Sequence, residues 1–166
     1  MSDSKKLNRR EAIKRMGIVS ALTLSVPATL WGCGDSATDD SSNGGVDEYD
    51  KQRVKALEEA SRKKFYSAAD PDVWEGKAGS HVPAVTFVGG GIVEVFTNHE
   101  MTVEHHINAH YIKDADTGEV LGLTEYSGLD AEARTEFTLP AGVQRIIVHS
   151  CCNQHENWVA DEKDVS

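Results

Sequence analysis

The sequence carries seven His and only three Cys in 166 residues, and six of those His and two of the Cys lie between residues 99 and 155. Three Cys cannot build a disulfide scaffold or a four-thiolate metal knuckle. Imidazole and thiolate together are good ligands for iron, copper and zinc, so a His-rich metal site is the chemistry these residue types favour. Near the C-terminus, Cys152-Asn153-Gln154-His155 sets a Cys and a His three apart just past an apolar run, the form of a chelating loop. His99 precedes His105 by six residues, too wide for a helical pair but suited to a loop and a strand that converge.

The elements that must position these residues read as strands. The period-two runs are Val82–Val88, Ile92–Thr97, residues 103–113, Val120–Tyr126, Arg134–Leu139 and Val143–Ser150. Gly89-Gly90-Gly91, Asp116-Thr117-Gly118-Glu119 and Pro140-Ala141-Gly142 supply turns between them. Six or seven short strands in about 100 residues predict an all-β sandwich. His81 should open the first strand. Alternation along residues 103–113 predicts Val103, His105, Ile107, Ala109 and Tyr111 facing the core. Glu104, His106, Asn108 and His110 should then face solvent. Upstream, residues 51–66 carry a weak helical stripe of Val54, Leu57 and Phe65, which predicts a short surface helix or a solvated charge run.

Taken in order, His-Val-Pro at His81, His-x-Met-x3-His at His99 and His105, and Cys-Asn-x-His-x2-Trp from Cys152 to Trp158 resemble the superoxide reductase family. That family includes the neelaredoxins and the iron domain of desulfoferrodoxins, and the match covers about residues 72–160. With no Cys-rich rubredoxin-like segment in this sequence, the resemblance is to the single-iron subclass. It implies an immunoglobulin-like seven-stranded β-sandwich and one Fe(II)/Fe(III) per chain. It also implies equatorial His81, His99, His105 and His155, an axial Cys152 thiolate and an open sixth position. The implied activity is one-electron reduction of superoxide to hydrogen peroxide, with an external electron donor. Cys152 rather than Cys151 takes the ligand role because only Cys152 is followed by Asn-x-His. Cys151 and His149 then read as packed residues, and Trp158 as core at the edge of the site.

The family pattern places Glu-Lys immediately before His-Val-Pro, whereas Gly79 and Ser80 stand there in this chain. Lys77, in Trp74-Glu75-Gly76-Lys77, is the nearest candidate for attracting superoxide. The missing pair supports an alternative, a metal-binding or electron-transfer module of the same fold, holding iron or copper without efficient superoxide turnover.

Charge and the N-terminal stretch bound the setting. A net charge of -10 argues against nucleic acid as the partner, since phosphate contacts need a basic footprint. Six cations fall within the first 15 residues, and Met16 to Trp31 carries no charge. That pattern reads as an export signal, and Arg9-Arg10 resembles a twin-arginine signal. Leu30-Trp31-Gly32-Cys33 resembles a lipobox, which implies a lipid on Cys33. The predicted organisation is a signal over residues 1–33, an acidic linker and short helix over 34–66, and the metal-binding domain over 67–166. A protein so organised would sit on the periplasmic or cell-surface side, lipid-anchored to the membrane, with homo-oligomers allowed.

Overall fold

The computed structural model describes residues 46–165. The signal, the lipobox Cys33 and most of the acidic linker lie outside the described residues. Among the described residues nine strands form two sheets: β1 (Phe65–Tyr66), β2 (Ala84–Gly89), β3 (Ile92–Thr97), β4 (Ile107–Asp114), β5 (Val120–Glu125), β6 (Ala133–Thr138), β7 (Arg145–Cys152), β8 (Glu156–Val159) and β9 (Lys163–Asp164). One sheet has the order β1-β8-β7-β4-β5, with β9 also on β7, and the other is β2-β3-β6. The pairings are antiparallel apart from β1 on β8. This is the all-β sandwich expected, with seven strands of four residues or more. Between the sheets pack Val93 and Val95 of β3, Phe137 of β6, Ile112 of β4, Leu121 of β5, and Ile146 and Val148 of β7.

Helix α1 (Glu48–Ala60) starts three residues earlier than its apolar stripe suggests, because the Asp47 side chain caps the N–H of Asp50 at 2.9 Å. Two left-handed residues, Arg62 and Lys63, end it. It is more than a solvated charge run. Val54 and Leu57 are buried against Ala109, Tyr111 and Cys151, so α1 covers the outer face of the larger sheet. Asn157 of β8 ties the helix end down by donating to Leu57 O at 3.1 Å and Ser61 Oγ at 3.0 Å. Among the described residues no helix is long and apolar enough to cross a membrane.

Two expectations change at the strands that flank the site. His81 does not open a strand. It ends a single helical turn, α2 (Ala78–His81), closed by the Val82 N–H to Ala78 O bond at 3.0 Å, and Pro83 holds Val82 extended before β2. The strand expected from residue 103 begins only at Ile107, because Thr102 folds residues 102–105 into a tight turn. Its N–H donates to His105 O at 2.9 Å, and its Oγ1 accepts from His105 N–H at 3.0 Å. Opposite β7, the β4 register then slips between Ile107 and Ala109.

That irregularity moves the faces. Ile107 lies with Cys152 inside the sandwich, whereas Ala109 and Tyr111 lie under α1. His110, expected in solvent, is fully buried and pairs in register with Ser150. With α1 covering the outer face, both faces of β4 are dry, so simple alternation could not tell inside from outside.

Candidate metal centre

The ligand candidates come from loops at one end of the two sheets. His81 ends α2 just before β2, and His99 follows β3 by two residues. His105 precedes β4, while Cys152 ends β7 and His155 closes the turn into β8. One ligand atom from each of these five lies within 4.8 Å of every other. The structure thus gathers all five residues that the spacing and the resemblance single out.

The four imidazoles stand at the corners of a square. Neighbouring ring centroids are 4.3–4.8 Å apart around the order 81, 155, 105, 99, and the 81–105 diagonal is 6.2 Å. His155 Nδ1 lies 3.0 Å from His81 Nε2 and 3.0 Å from His105 Nε2, while His105 Nε2 lies 3.1 Å from His99 Nε2. Donors at right angles, each about 2.1 Å from one shared ion, are about 3.0 Å apart, whereas tetrahedral donors would be about 3.4 Å apart. Cys152 Sγ is 3.5 Å from His155 Nδ1 and 3.8 Å from His99 Nε2. Those are opposite corners, so the sulfur lies over the face of the square. Among the described residues no further His, Cys, Asp or Glu joins the group, which leaves the other face without a protein donor.

Protonation decides whether this cluster suits an ion. His81 Nδ1 faces Lys77 O at 3.0 Å, His105 Nδ1 faces Glu100 Oε1 at 2.7 Å, and His99 Nδ1 faces the Glu100 carbonyl. A carbonyl or carboxylate only accepts, so each Nδ1 carries the proton and each Nε2 turns a lone pair inward. At most one proton, on His155, is then left for three close N···N contacts. Such a cluster repels itself unless a cation sits among the lone pairs, and the donor set therefore fits a metal ion. Burial lowers the His81 pKa to about 4 and lowers those of His99 and His155, which keeps the rings neutral. Burial raises the Cys152 thiol pKa, opposed by N–H donors from Gln154 and His155 and by the charge of Lys77.

Around the donors sits a shell of supporting residues, of which Glu100, Gly128 and Trp74 were not singled out by the sequence. Glu100 holds two rings, one by its carboxylate and one by its carbonyl, the arrangement that orients metal-bound imidazoles. Asn153 accepts from His106 N–H at 3.0 Å and donates to Glu104 O at 3.0 Å, clamping the His105 loop to the Cys152 loop. Gly128 allows a close approach: a Cβ there would fall 2.1 Å from Thr102 O. Trp74 packs edge-on to His155 at 4.7 Å, and Trp158 lies 5.3 Å from His81 and donates to His155 O. Lys77 is exposed; its carbonyl anchors His81, and its charge acts on both Cys152 and His155. Ser80 turns its hydroxyl onto His81 Nδ1 at 2.9 Å, and Gly79 offers no side chain. His106 is half-buried with Nδ1 on Thr102 O, outside the square.

No family model matches the sequence, and no curated protein matches it. Solved structures do. A variant of the superoxide reductase (neelaredoxin) from Ignicoccus hospitalis aligns with TM-score 0.54 at 21% identity, covering 63% of this chain and 95% of that one. A second variant of that protein gives TM-score 0.51 at 22% identity, covering 61% and 93%. The superoxide reductase from Treponema pallidum is 28% identical, with TM-score 0.45, over 52% of this chain and 70% of its own. The class defined here is a β-sandwich with a square of imidazoles and a cysteine sulfur at one end. Its fold is that of the superoxide reductases.

Proposed function

We propose that this chain is a single-iron protein that reduces superoxide to hydrogen peroxide. The observation that carries this reading is the square of inward lone pairs with Cys152 sulfur over one face and, among the described residues, no protein donor on the other. His81, His99, His105, His155 and Cys152 would hold the iron, which supplies single electrons by moving between its ferrous and ferric states. Superoxide takes one electron and two protons to become hydrogen peroxide, and an external donor must return the electron. The chain's own part is to keep four rings neutral and aimed, to hold the sulfur with backbone N–H donors, and to place Lys77 beside the site. On the same reading the chain is exported by the twin-arginine route and held by a lipid on Cys33 at the periplasmic or cell-surface side.

The test is metal analysis of the isolated full chain, followed by pulse radiolysis of its ferrous form. One iron per chain is expected, with one hydrogen peroxide formed per iron oxidised and no dioxygen. A chain that takes up no iron, or a ferrous form inert to superoxide, would contradict it. A second reading, an iron or copper module without efficient turnover, is favoured by Gly79 and Ser80 standing where charged residues would flank the site. Copper in the isolated protein would select that reading.

A further inference from the structure

His110 is a buried histidine that the metal centre does not use. Its Nδ1 lies 2.9 Å from the Tyr126 hydroxyl and its Nε2 lies 2.8 Å from Thr97 Oγ1, while Thr97 Oγ1 donates to Ser150 Oγ at 3.1 Å. A hydroxyl has one proton to give. Since Thr97 gives its proton to Ser150, it accepts from His110 Nε2–H, and His110 Nδ1 accepts from Tyr126. The chain of bonds therefore runs in one direction, from the half-buried Tyr126 inward, and satisfies both nitrogens of a ring that has no access to water.

Thr97, Ser150 and Tyr126, the three partners in this chain of bonds besides His110, adjoin the segments that carry His99 and Cys152. Thr97 is the last residue of β3, and its carbonyl accepts from His99 N–H at 2.8 Å. Ser150 stands two residues before Cys152 on β7. The Tyr126 ring packs with Met101, Ile107 and Ala133 in the cluster that holds Cys152, and Ala133 is the register partner of Thr97. Thr97 belongs to the smaller sheet, whereas His110 and Ser150 belong to the larger one. The bonds thus cross between the sheets, two residues before His99 on one side and two residues before Cys152 on the other, and Cys152 Sγ approaches His99 Nε2 at 3.8 Å.

We propose that Tyr126, His110, Thr97 and Ser150 are a positioning chain that fixes the Cys152 sulfur against His99 across the two sheets, and so sets the bond between thiolate and bound metal. This rests on the metal reading above. None of the four supplies a donor atom to the square; they act through the backbone that carries His99 and Cys152 and through the packing around the sulfur.

The experiment uses the iron-loaded full chain and reads the thiolate-to-iron absorption band and the rate of iron release to a chelator. Thermal unfolding reports whether each variant is folded. Tyr126→Phe removes one hydroxyl and keeps the ring, and Thr97→Val removes both bonds of its hydroxyl. His110→Phe fills the space without hydrogen bonds, while His110→Gln restores a donor and an acceptor. Thr97→Val and His110→Phe should shift the band and speed iron release by about tenfold to a hundredfold, the usual effect of losing support behind a metal ligand. Tyr126→Phe should do so less, and His110→Gln should recover most of the loss. Folded Thr97→Val and Tyr126→Phe proteins with an unchanged band and release rate would overturn the proposal, whether or not His110→Phe folds. Equal damage from folded His110→Gln and His110→Phe would also overturn it, by assigning the effect to packing alone. A wild-type chain that takes up no iron would remove the metal reading and this inference together, whereas a loaded wild type with indifferent variants removes this inference only.

Discussion

Cys151 and Cys152 are consecutive on β7 and share almost no neighbours. Cys151 is 1% exposed beneath α1, among Val54, Leu57, Ala109 and Tyr111, and burial pushes its thiol far above the ordinary range. Cys152 points to the other face, accepts the Gln154 N–H at 3.4 Å and lies within reach of two imidazoles. One step of strand alternation separates an inert core thiol from a ligand. The histidines divide the same way. His149 lies flat on Tyr111 with ring centroids 4.3 Å apart, and His110 has both nitrogens taken by hydroxyls. His81, His99 and His105 each have one nitrogen pinned by an oxygen and the other aimed at a neighbouring ring. Burial alone does not separate the classes, since His81 is 1% exposed and His110 is fully buried.

Acid should test both classes at once and with the largest effect. Burial lowers His81 to about 4 and His110 and His149 to about 3, against about 6.5 in an unfolded chain. The unfolded state therefore binds protons first as pH falls. The metal-free protein should lose up to about 1.4 kcal/mol per pH unit for each of the three, starting near pH 6.5 and levelling off below about pH 3. Chemical denaturation at a series of pH values measures this, and a flat profile between pH 6.5 and 4 would break the assignment of these rings as neutral.

Next in size is the cysteine pair itself. Cys152→Ser should weaken metal binding by more than about a hundredfold, beyond the effect of losing a mere supporting contact. Cys151→Ala should keep the metal and cost about 1 kcal/mol of stability. His105→Ala and His106→Ala should divide in the same way, with loss of the metal spectrum only in the first. Similar metal content in both members of either pair would dissolve the comparison.

Glu100→Ala should cost about tenfold to a hundredfold in metal affinity by freeing the His105 ring, with Glu104→Ala as the control that leaves affinity in place. Competition titration against a chelator reads the difference. Gly128→Ala should cost about 1–3 kcal/mol, because its Cβ meets the Thr102 backbone rather than a side chain that can swing away. Equilibrium unfolding in denaturant is the check.

The smallest effect concerns substrate approach under the proposed function. Residues 71–166 hold five Lys and Arg against sixteen Asp and Glu, which repels an anion that Lys77 beside the site attracts. The superoxide rate should rise modestly with salt, as screening weakens that repulsion beyond roughly 8–10 Å. It should fall further in Lys77→Ala at low salt. Pulse radiolysis at two ionic strengths decides, and a rate that falls with added salt in the wild type would contradict the repulsion argument.

Much of this was legible in the chain because the donor residues come in short, typed spacings, and because β3 alternates cleanly between buried and half-buried residues. The fate of His110 was not, since it depends on a register slip opposite β7 and on α1 roofing the outer face, neither of which leaves a mark on residues 103–113. Strands β1 and β9, two residues each, are too short to show any period. Glu100 is one carboxylate in a loop, and nothing about its neighbours announces that its side chain and carbonyl hold different rings. The helical turn before Val82-Pro83 was hidden because it is four residues long and three of them, Gly79, Ser80 and His81, have little helical preference of their own.

The square of imidazoles has two corners hung from the smaller sheet, at His81 and His99, and two from the larger, at His105 and His155. Any sliding of one sheet past the other must therefore skew the square before it disturbs the packed middle of the sandwich. Emptied of its ion, that end should breathe most freely, with fast amide exchange at residues 97–106 and 152–156. Filled, it becomes a rivet through both layers, and the same amides become the gauge of how tightly it is driven.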